Sequence, residues 1–149
     1  MSKIHRPALA ASLLALATLA GCAEHHKTAA ASPTLYERLG KKKAVTAVVD
    51  NFVDRVAADT RINSYFARTD LKNLRQQLVD QICQASGGPC TYKGGDMKRV
   101  HEGLGVTNPA FDALVSDLVA ALDQFHVGAT EKDELLAVLG PMRKDIVEK

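Results

Sequence analysis

Residues 87–105 read GGPCTYKGGDMKRVHEGLG. The first half of this stretch is rich in glycine and contains one proline, a composition that is typical of a loop. The second half, from Met97 to Leu104, has the spacing of a short helix and carries one histidine, His101. Helical patterns lie on both sides. We therefore expect a glycine-rich loop that leads into a short histidine-bearing helix within a helical domain.

The segments before this loop have apolar residues at intervals of three and four, which predicts amphipathic helices. Thr34 can cap a short helix that Gly40 ends. A longer helix is predicted over 43–58, followed by a short turn through Phe66. Asp70 is placed to cap the next helix. The apolar face of that helix consists of Leu71, Leu74, Leu78 and Ile82.

Two further helices are predicted after the loop. One starts at Asn108-Pro109, with proline in the first helical turn, and ends before a turn at 126–129. The other starts at the capping-box-like sequence Thr130-Glu131-Lys132-Asp133 and continues to residue 146. No segment shows the sustained alternation of a strand, so the predicted fold class is all-α.

The first 21 residues have the pattern of a lipoprotein signal peptide. After a short basic region, residues 7–20 form an apolar run that is short for a membrane span. The run ends in Leu19-Ala20-Gly21-Cys22, which resembles a bacterial lipobox and implies cleavage before Cys22 and attachment of lipid to it. A plain signal peptide and an uncleaved anchor are the alternatives. We expect a membrane-anchored lipoprotein that faces the periplasm, and Ala23 favours the outer membrane by analogy.

The predicted organisation is a signal peptide at 1–21, a flexible tether at 22–33 and one helical domain at 34–149. The tether contains His25 and His26, but no further ligands lie nearby, which is more typical of solvated side chains than of a metal site.

The charge of the chain limits the partners that it can have. The full chain has a formal net charge of +2, and the first 21 residues contain Lys3 and Arg6 but no acid. The remainder has 17 basic and 17 acidic residues. Because phosphate binding requires a basic surplus, nucleic acid is not an expected partner.

Motifs along the domain resemble those of the group 1 truncated haemoglobins. They occur in order from about residue 34 to residue 146. The motifs are Leu35-Tyr36-Glu37-Arg38-Leu39-Gly40, Phe66, Gly87-Gly88-Pro89, Tyr92-x-Gly94, Met97-Lys98-x-Val100-His101-x-Gly103-x-Gly105 and Phe111. The resemblance implies a two-over-two helical sandwich, the truncated globin fold. It also implies haem b as the cofactor and O₂, NO or CO as the ligand.

The same resemblance assigns roles to residues. His101 matches the proximal histidine, and a neutral imidazole is a good ligand for haem iron. The matching haem-contact positions are Phe66, Leu74, Leu78, Tyr92, Met97, Phe111, Leu114 and Leu139, and Leu118 and Leu136 add to the apolar wall. Tyr92 and Lys98 match the side of the haem propionates, although each is equally compatible with solvated surface.

The distal side departs from the family pattern. Members often carry tyrosine where this chain has Val53, and glutamine at the positions of Leu74 or Leu78. Those donors bond the bound gas, and a charge-assisted hydrogen bond contributes about 1.5 kcal/mol or more. Their absence predicts an apolar distal pocket with fast O₂ dissociation and quick autoxidation. Helical spacing is expected to place Gln77 beside the Leu74–Leu78 stripe rather than on it.

Cys83 and Cys90 lie seven residues apart, and a disulfide between them would join the end of a helix to the glycine loop in an oxidising compartment. Two free thiols are the alternative. A thiol-redox enzyme is disfavoured, because the pair lacks the spacing of a Cys-x-x-Cys motif.

The function predicted by these features is reversible binding of a diatomic gas at a His-ligated iron, with oxygen transport and NO detoxification as candidate roles. NO dioxygenation or peroxide turnover would need an electron donor, and no flavin or nicotinamide motif is recognisable, so enzyme activity is not favoured. The alternative is a haem-free helical lipoprotein that acts as an interaction module in the cell envelope. A Soret absorption band would separate the two predictions.

Overall fold

The computed structural model describes residues 32–148, and every regular element in this range is helical. The all-α prediction is therefore confirmed for this part of the chain. The predicted signal peptide at 1–21, the lipid on Cys22 and the histidine pair at 25–26 lie outside the described residues.

The α-helices in the described range are α1 (Leu35–Arg38), α2 (Lys41–Ala58), α3 (Leu71–Ala85), α4 (Met97–His101), α5 (Asn108–Gln124), α6 (Ala129–Leu139) and α7 (Arg143–Ile146). A turn of 3-10 helix at Asn63–Phe66 precedes α3, and another at Gly140–Met142 joins α6 to α7. None of these helices is long and apolar enough to cross a membrane.

Side-chain caps explain where three of the helices begin. Thr34 Oγ1 accepts from the N–H of Glu37 while the Glu37 carboxylate accepts from the N–H of Thr34, a capping box that starts α1. The carboxylate of Asp70 accepts two backbone hydrogen bonds in the first turn of α3. Thr107 caps α5 by accepting from the N–H of Ala110.

The structure corrects the predicted boundaries of the last helix. Gly128 precedes the first residue of α6, so Thr130 lies within the first turn and does not cap the helix. The predicted continuous helix to residue 146 is interrupted after Leu139. Pro141 has no N–H to donate to the preceding turn, and the chain passes through a 3-10 turn before it resumes as α7.

Helix α2 is the centre of the core and packs mainly against α3 and α5. Its buried side chains are Val45, Val48, Val49, Phe52, Val53 and Val56. They belong to one apolar cluster with Val79, Ile82 and Cys83 of α3, Leu118, Ala121 and Leu122 of α5, and Leu135 of α6. Burial of each valine or leucine contributes roughly 1.5–3 kcal/mol to folding.

Candidate functional site

A cavity of about 550 Å³ lies among α2, α3, α5, α6 and the segment that carries α4. Its walls are mainly aliphatic and aromatic. Every residue that the sequence resemblance assigns to cofactor contact lines this cavity: Phe66, Leu74, Leu78, Tyr92, Met97, Phe111, Leu114 and Leu139. Val53, Leu118, Leu136 and His101 line it as well. Lys98 does not, and its side chain is exposed.

His101 is the last residue of α4 and is partly buried at the cavity wall. Its Nδ1 lies 2.7 Å from the carbonyl oxygen of Met97, one turn earlier. A carbonyl can only accept, so Nδ1 carries the proton and donates, and Nε2 keeps a free lone pair. This hydrogen bond fixes the tautomer and the ring orientation that a metal-binding imidazole requires.

The helix that carries His101 is short and closely bounded. Asp96 caps it by accepting from the N–H of Arg99 at 3.2 Å. It ends at His101 because Gly103 takes a left-handed conformation with φ +76°, so Leu104 lies beyond the helix rather than within it.

The loop before α4 is tied to the end of α3. Cys83 and Cys90 form a disulfide, with Cα atoms 5.7 Å apart, so of the two alternatives the structure contains the bridge. The side-chain oxygen of Gln84 accepts from the N–H of Tyr92 at 2.7 Å, and the Tyr92 hydroxyl donates to the carbonyl of Gly95 at 3.1 Å. The loop is thus held by a covalent bond and by two hydrogen bonds.

Gly88 is required by close packing in this loop. A Cβ atom at this position would lie 2.7 Å from the carbonyl oxygen and the sulfur of Cys83 and from Cγ of Tyr36. No side chain fits there without displacing the disulfide or the buried tyrosine. The glycine therefore serves the attachment of the loop to α3.

The wall formed by α3 differs in part from the sequence-based expectation. Leu74 and Leu78 line the cavity together with Val53 of α2, and all three are apolar as expected. Gln77 and Gln81 line it too. Residues at i, i+3, i+4 and i+7 share one helical face, so Gln77 lies on the Leu74–Leu78 stripe, and the predicted position beside it is wrong. That same spacing could have identified Gln81.

Most other polar groups on the cavity wall are engaged with the protein. The Tyr65 hydroxyl donates to the carbonyl of Gly105 at 3.3 Å. Arg143 donates to Asn108 Oδ1 at 2.9 Å, forms an ion pair with Asp112, and lies over the ring of Phe111 at 4.3 Å. Burial, with a smaller contribution from the charge of Asp96, raises the pKa of Tyr92, so this phenol stays protonated at neutral pH.

The protein donors around the cavity indicate what it can bind. Among residues 32–148, no group of three or more His, Cys, Asp or Glu side chains could hold a metal ion by itself. The other histidine of that range, His126, is exposed and away from the cavity. The walls of this cavity are mainly apolar and include one histidine, His101, so they suit a large, mostly apolar cofactor whose metal takes a single protein ligand. The residues present fit such a group.

Comparisons with known proteins agree with this description. A family model described as bacterial-like globin matches residues 34–148. A group 1 truncated hemoglobin from Tetrahymena pyriformis is 35% identical over 116 residues, which are 78% of this chain and 96% of that protein.

Solved structures of such proteins superpose well. The truncated hemoglobin from Tetrahymena pyriformis in its Fe(III) form gives a TM-score of 0.76 and covers 78% of this chain and 100% of that chain. The 2/2 hemoglobin from Synechococcus sp. PCC 7002, with covalently attached heme, is 32% identical. It gives a TM-score of 0.73 and covers 78% and 100% of the two chains.

Proposed function

The chain belongs to the truncated haemoglobins of the bacterial-like globin family, and from this membership we propose that His101 is the protein ligand of its haem iron. The family binds haem b and diatomic gases, so this chain is a haem-binding globin with gaseous ligands. The predicted two-over-two helical fold and the predicted cofactor are confirmed by the same likeness. A haem-free interaction module has no support from it.

The hydrogen bond from His101 Nδ1 to the Met97 carbonyl carries the proposal. It leaves Nε2 as the free imidazole nitrogen at the wall of the cavity. When bound, haem b would supply an iron atom that binds a diatomic gas, and His101 would be the residue that holds that iron. The Met97 carbonyl holds the imidazole in place, and the apolar side chains of the cavity wall would pack against the flat cofactor.

Absorption spectra of the purified protein test this assignment. The wild-type protein should show a Soret band in the ferric, ferrous and CO forms, and His101→Ala should lose the wild-type ferrous and CO spectra. His126→Ala is the matched control, because His126 is exposed and does not line the cavity. Unchanged spectra in His101→Ala would show that another group ligates the iron.

Reversible gas binding is the role that we propose for the site. Val53, Leu74 and Leu78 provide apolar wall on the side of α2 and α3, and none of them can donate or accept a proton. NO dioxygenation or peroxide turnover would in addition need electrons from a separate donor. Repeated oxygenation and deoxygenation of the ferrous protein, followed in the visible spectrum, tests reversibility. Complete oxidation of the iron in the first cycle would contradict it.

We also propose that the mature protein is a lipoprotein of the cell envelope, attached through Cys22 to the outer membrane and facing the periplasm. The Leu19-Ala20-Gly21-Cys22 sequence supports the lipid. The Cys83–Cys90 disulfide supports an oxidising compartment independently, since such bonds are rare in a reducing cytosol.

Labelling with palmitate tests the anchor. Cys22→Ser should abolish the incorporation of palmitate. The double variant Cys83→Ser, Cys90→Ser is the control and should remain labelled. Persistent labelling of Cys22→Ser would refute attachment at this residue.

A further inference from the structure

The methionines of the described domain, Met97 and Met142, lie together at the cavity wall. Met97 begins α4, Met142 ends the 3-10 turn before α7, and both line the cavity that contains His101. Both residues are half-buried. The sulfur of a thioether is polarizable and is readily oxidised to a sulfoxide. A small oxidant that enters the cavity would therefore meet two reactive side chains.

These two thioethers are the sulfur groups of residues 32–148 that remain open to mild oxidation. The cysteines of that range, Cys83 and Cys90, are already joined as a disulfide. Neither cysteine lines the cavity. Oxidation of sulfur within this part of the chain is thus directed to Met97 and Met142.

One amide group lies against both sulfurs. Gln81 Nε2 of α3 is 3.3 Å from Met142 Sδ and 3.9 Å from Met97 Sδ. A thioether is a weak acceptor, so the Gln81 amide gains little from these contacts. A sulfoxide is polar and presents an oxygen atom as acceptor. Oxidation would convert a weak contact with Gln81 into an N–H···O hydrogen bond after small rotations of flexible side chains.

We propose that Met142 is a site of oxidation by hydrogen peroxide, with Met97 as a second site beside it, and that the Gln81 amide binds the sulfoxide oxygen. The sulfur attacks one peroxide oxygen, and the S–O bond forms as the O–O bond breaks. The transferred oxygen gives its proton to the departing hydroxide, which leaves as water. The sulfur is oxidised and the peroxide is reduced, so no further reagent is needed. Met142 is the first site because its sulfur lies closer to the amide.

The hydrogen bond from Gln81 determines what oxidation does to the cofactor, and this part rests on the proposed function. A sulfoxide without a partner on an apolar wall would be a buried polar group against the haem, which is costly. With Gln81 as donor, the oxygen is satisfied by the protein itself. The cavity therefore keeps its haem after its methionines have consumed peroxide.

Treatment of the haem-loaded protein with hydrogen peroxide tests the site. Peptide mass spectrometry locates the added oxygen, and transfer of haem to an acceptor globin measures its retention. Infrared difference spectra with isotope-labelled peroxide detect the S–O stretch. Gln81→Leu removes the amide, and Met142→Leu removes the sulfur and is a second variant in case the first folds poorly. Gln76→Leu is the matched control, because Gln76 is exposed, bonds Asp80 and does not line the cavity.

In the wild type, Met142 should gain an oxygen atom before Met97, and the haem dissociation rate should change by less than about twofold. In oxidised Gln81→Leu the haem should dissociate about tenfold faster, because the sulfoxide then lacks a partner. The S–O stretch should lie at higher frequency in Gln81→Leu than in the wild type and in Gln76→Leu. Met142→Leu should lack the main S–O band of the wild type.

Two results would overturn the proposal. One is no gain of oxygen at either methionine under conditions that fully oxidise free methionine. The other is the same S–O stretch and the same haem loss in the wild type and in Gln81→Leu. The S–O stretch needs no haem, so it decides the role of Gln81 even in a protein without a Soret band, which would refute the proposed function.

Discussion

His101 lies at the cavity wall, and one of its two ring nitrogens is already hydrogen-bonded within its own helix. The acceptor is the backbone carbonyl of Met97, which is four residues earlier and therefore one turn below His101 in the same helix. The orientation of the imidazole is thus determined by local helical geometry. Val53 of α2 is 1% exposed and lines the same cavity.

A hydroxyl placed at position 53 should retain O₂ more strongly. Val53→Tyr introduces a donor into the wall, so we expect the O₂ dissociation rate to fall by about tenfold with little change for CO. Flash photolysis or stopped-flow mixing measures both rates. Val53→Phe is the control for size, since it lacks only the hydroxyl. An equal effect of Val53→Phe would mean that the size of the side chain, and not a hydrogen bond, slows the dissociation of O₂.

Two neighbouring carboxylates that do not line the cavity, Asp117 and Asp59, should make the stability of the folded protein depend on pH. Asp117 Oδ2 is covered and lacks a hydrogen-bond partner, and burial followed by the charge of Asp59 raises the pKa of Asp117. Hydrogen bonds from Arg61 lower the pKa of Asp59. A raised pKa in the folded state favours the protonated form. The contribution of Asp117 to stability is therefore greatest below its unfolded pKa and is lost as pH rises through the folded value.

Replacement of this carboxylate should stabilise the protein near neutral pH. Asp117→Asn removes a charge that is disfavoured there, and we expect the Tm at pH 7 to rise by about 2–4 °C. The gain should shrink as pH falls below the pKa of Asp117, because the wild-type side chain is then neutral. Thermal melts at pH 7 and pH 4 measure the difference, with exposed Asp133→Asn as the control. A lower Tm at pH 7 would contradict the prediction.

Helix α3 joins three parts of the molecule. One of its faces contributes Val79, Ile82 and Cys83 to the core, and another lines the cavity. Its last turn holds the glycine loop through the disulfide and through Gln84. Because that loop leads directly into α4, the position of His101 depends on its attachment to α3.

Removal of the disulfide should loosen this attachment. In the chain-entropy model a loop of this length contributes about 2 kcal/mol. The double variant Cys83→Ser, Cys90→Ser should unfold at lower denaturant concentration and lose haem faster than the wild type. Denaturation and transfer of haem to an acceptor globin measure the two effects, and a reducing agent should reproduce them in the wild type but not in the variant. Equal stability of both proteins would show that the loop is held without the bridge.

Across the whole domain, the core is a single cluster centred on α2 that borders a large cavity. The core around α2 is continuous, but the facing sides of α3, α5 and α6 meet across the cavity rather than against one another. Side chains that line a void lose contacts on one side. The cofactor restores those contacts, so folding and haem binding are coupled.

Haem removal should therefore lower the stability of the domain. A ligand that binds only the folded state at 100 times its dissociation constant adds about 2.7 kcal/mol. We expect the apoprotein to have a clearly lower Tm than the holoprotein and the difference to return on addition of haem. Calorimetry of both forms measures it, with His101→Ala as a variant in which added haem should stabilise less. Identical melting of the apo and holo forms would exclude the coupling.

The sequence determined that the domain is all-helical, that His101 is the candidate iron ligand, and which residues form most of the apolar cavity wall. These features depend on local spacing: three- and four-residue periodicity predicts the helices, and the motif from Met97 to Gly105 places His101. The predicted start of α6 at Thr130 is wrong, and the break at Pro141 is not predicted by the sequence pattern, because neighbouring residues compete for helix ends and several choices satisfy the same local rule.

Only the tertiary structure decided which hydrogen bonds the polar side chains of the cavity wall make. Gln77 and Gln81 look alike in sequence, but packing directs Gln81 to Met97 and Met142 and leaves Gln77 with a covered, unbonded oxygen. The difference arises from α4 and the turn before α7, which are distant in sequence and close in space. Periodicity predicts the face on which a side chain lies, whereas its hydrogen bonds depend on the elements that pack against that face.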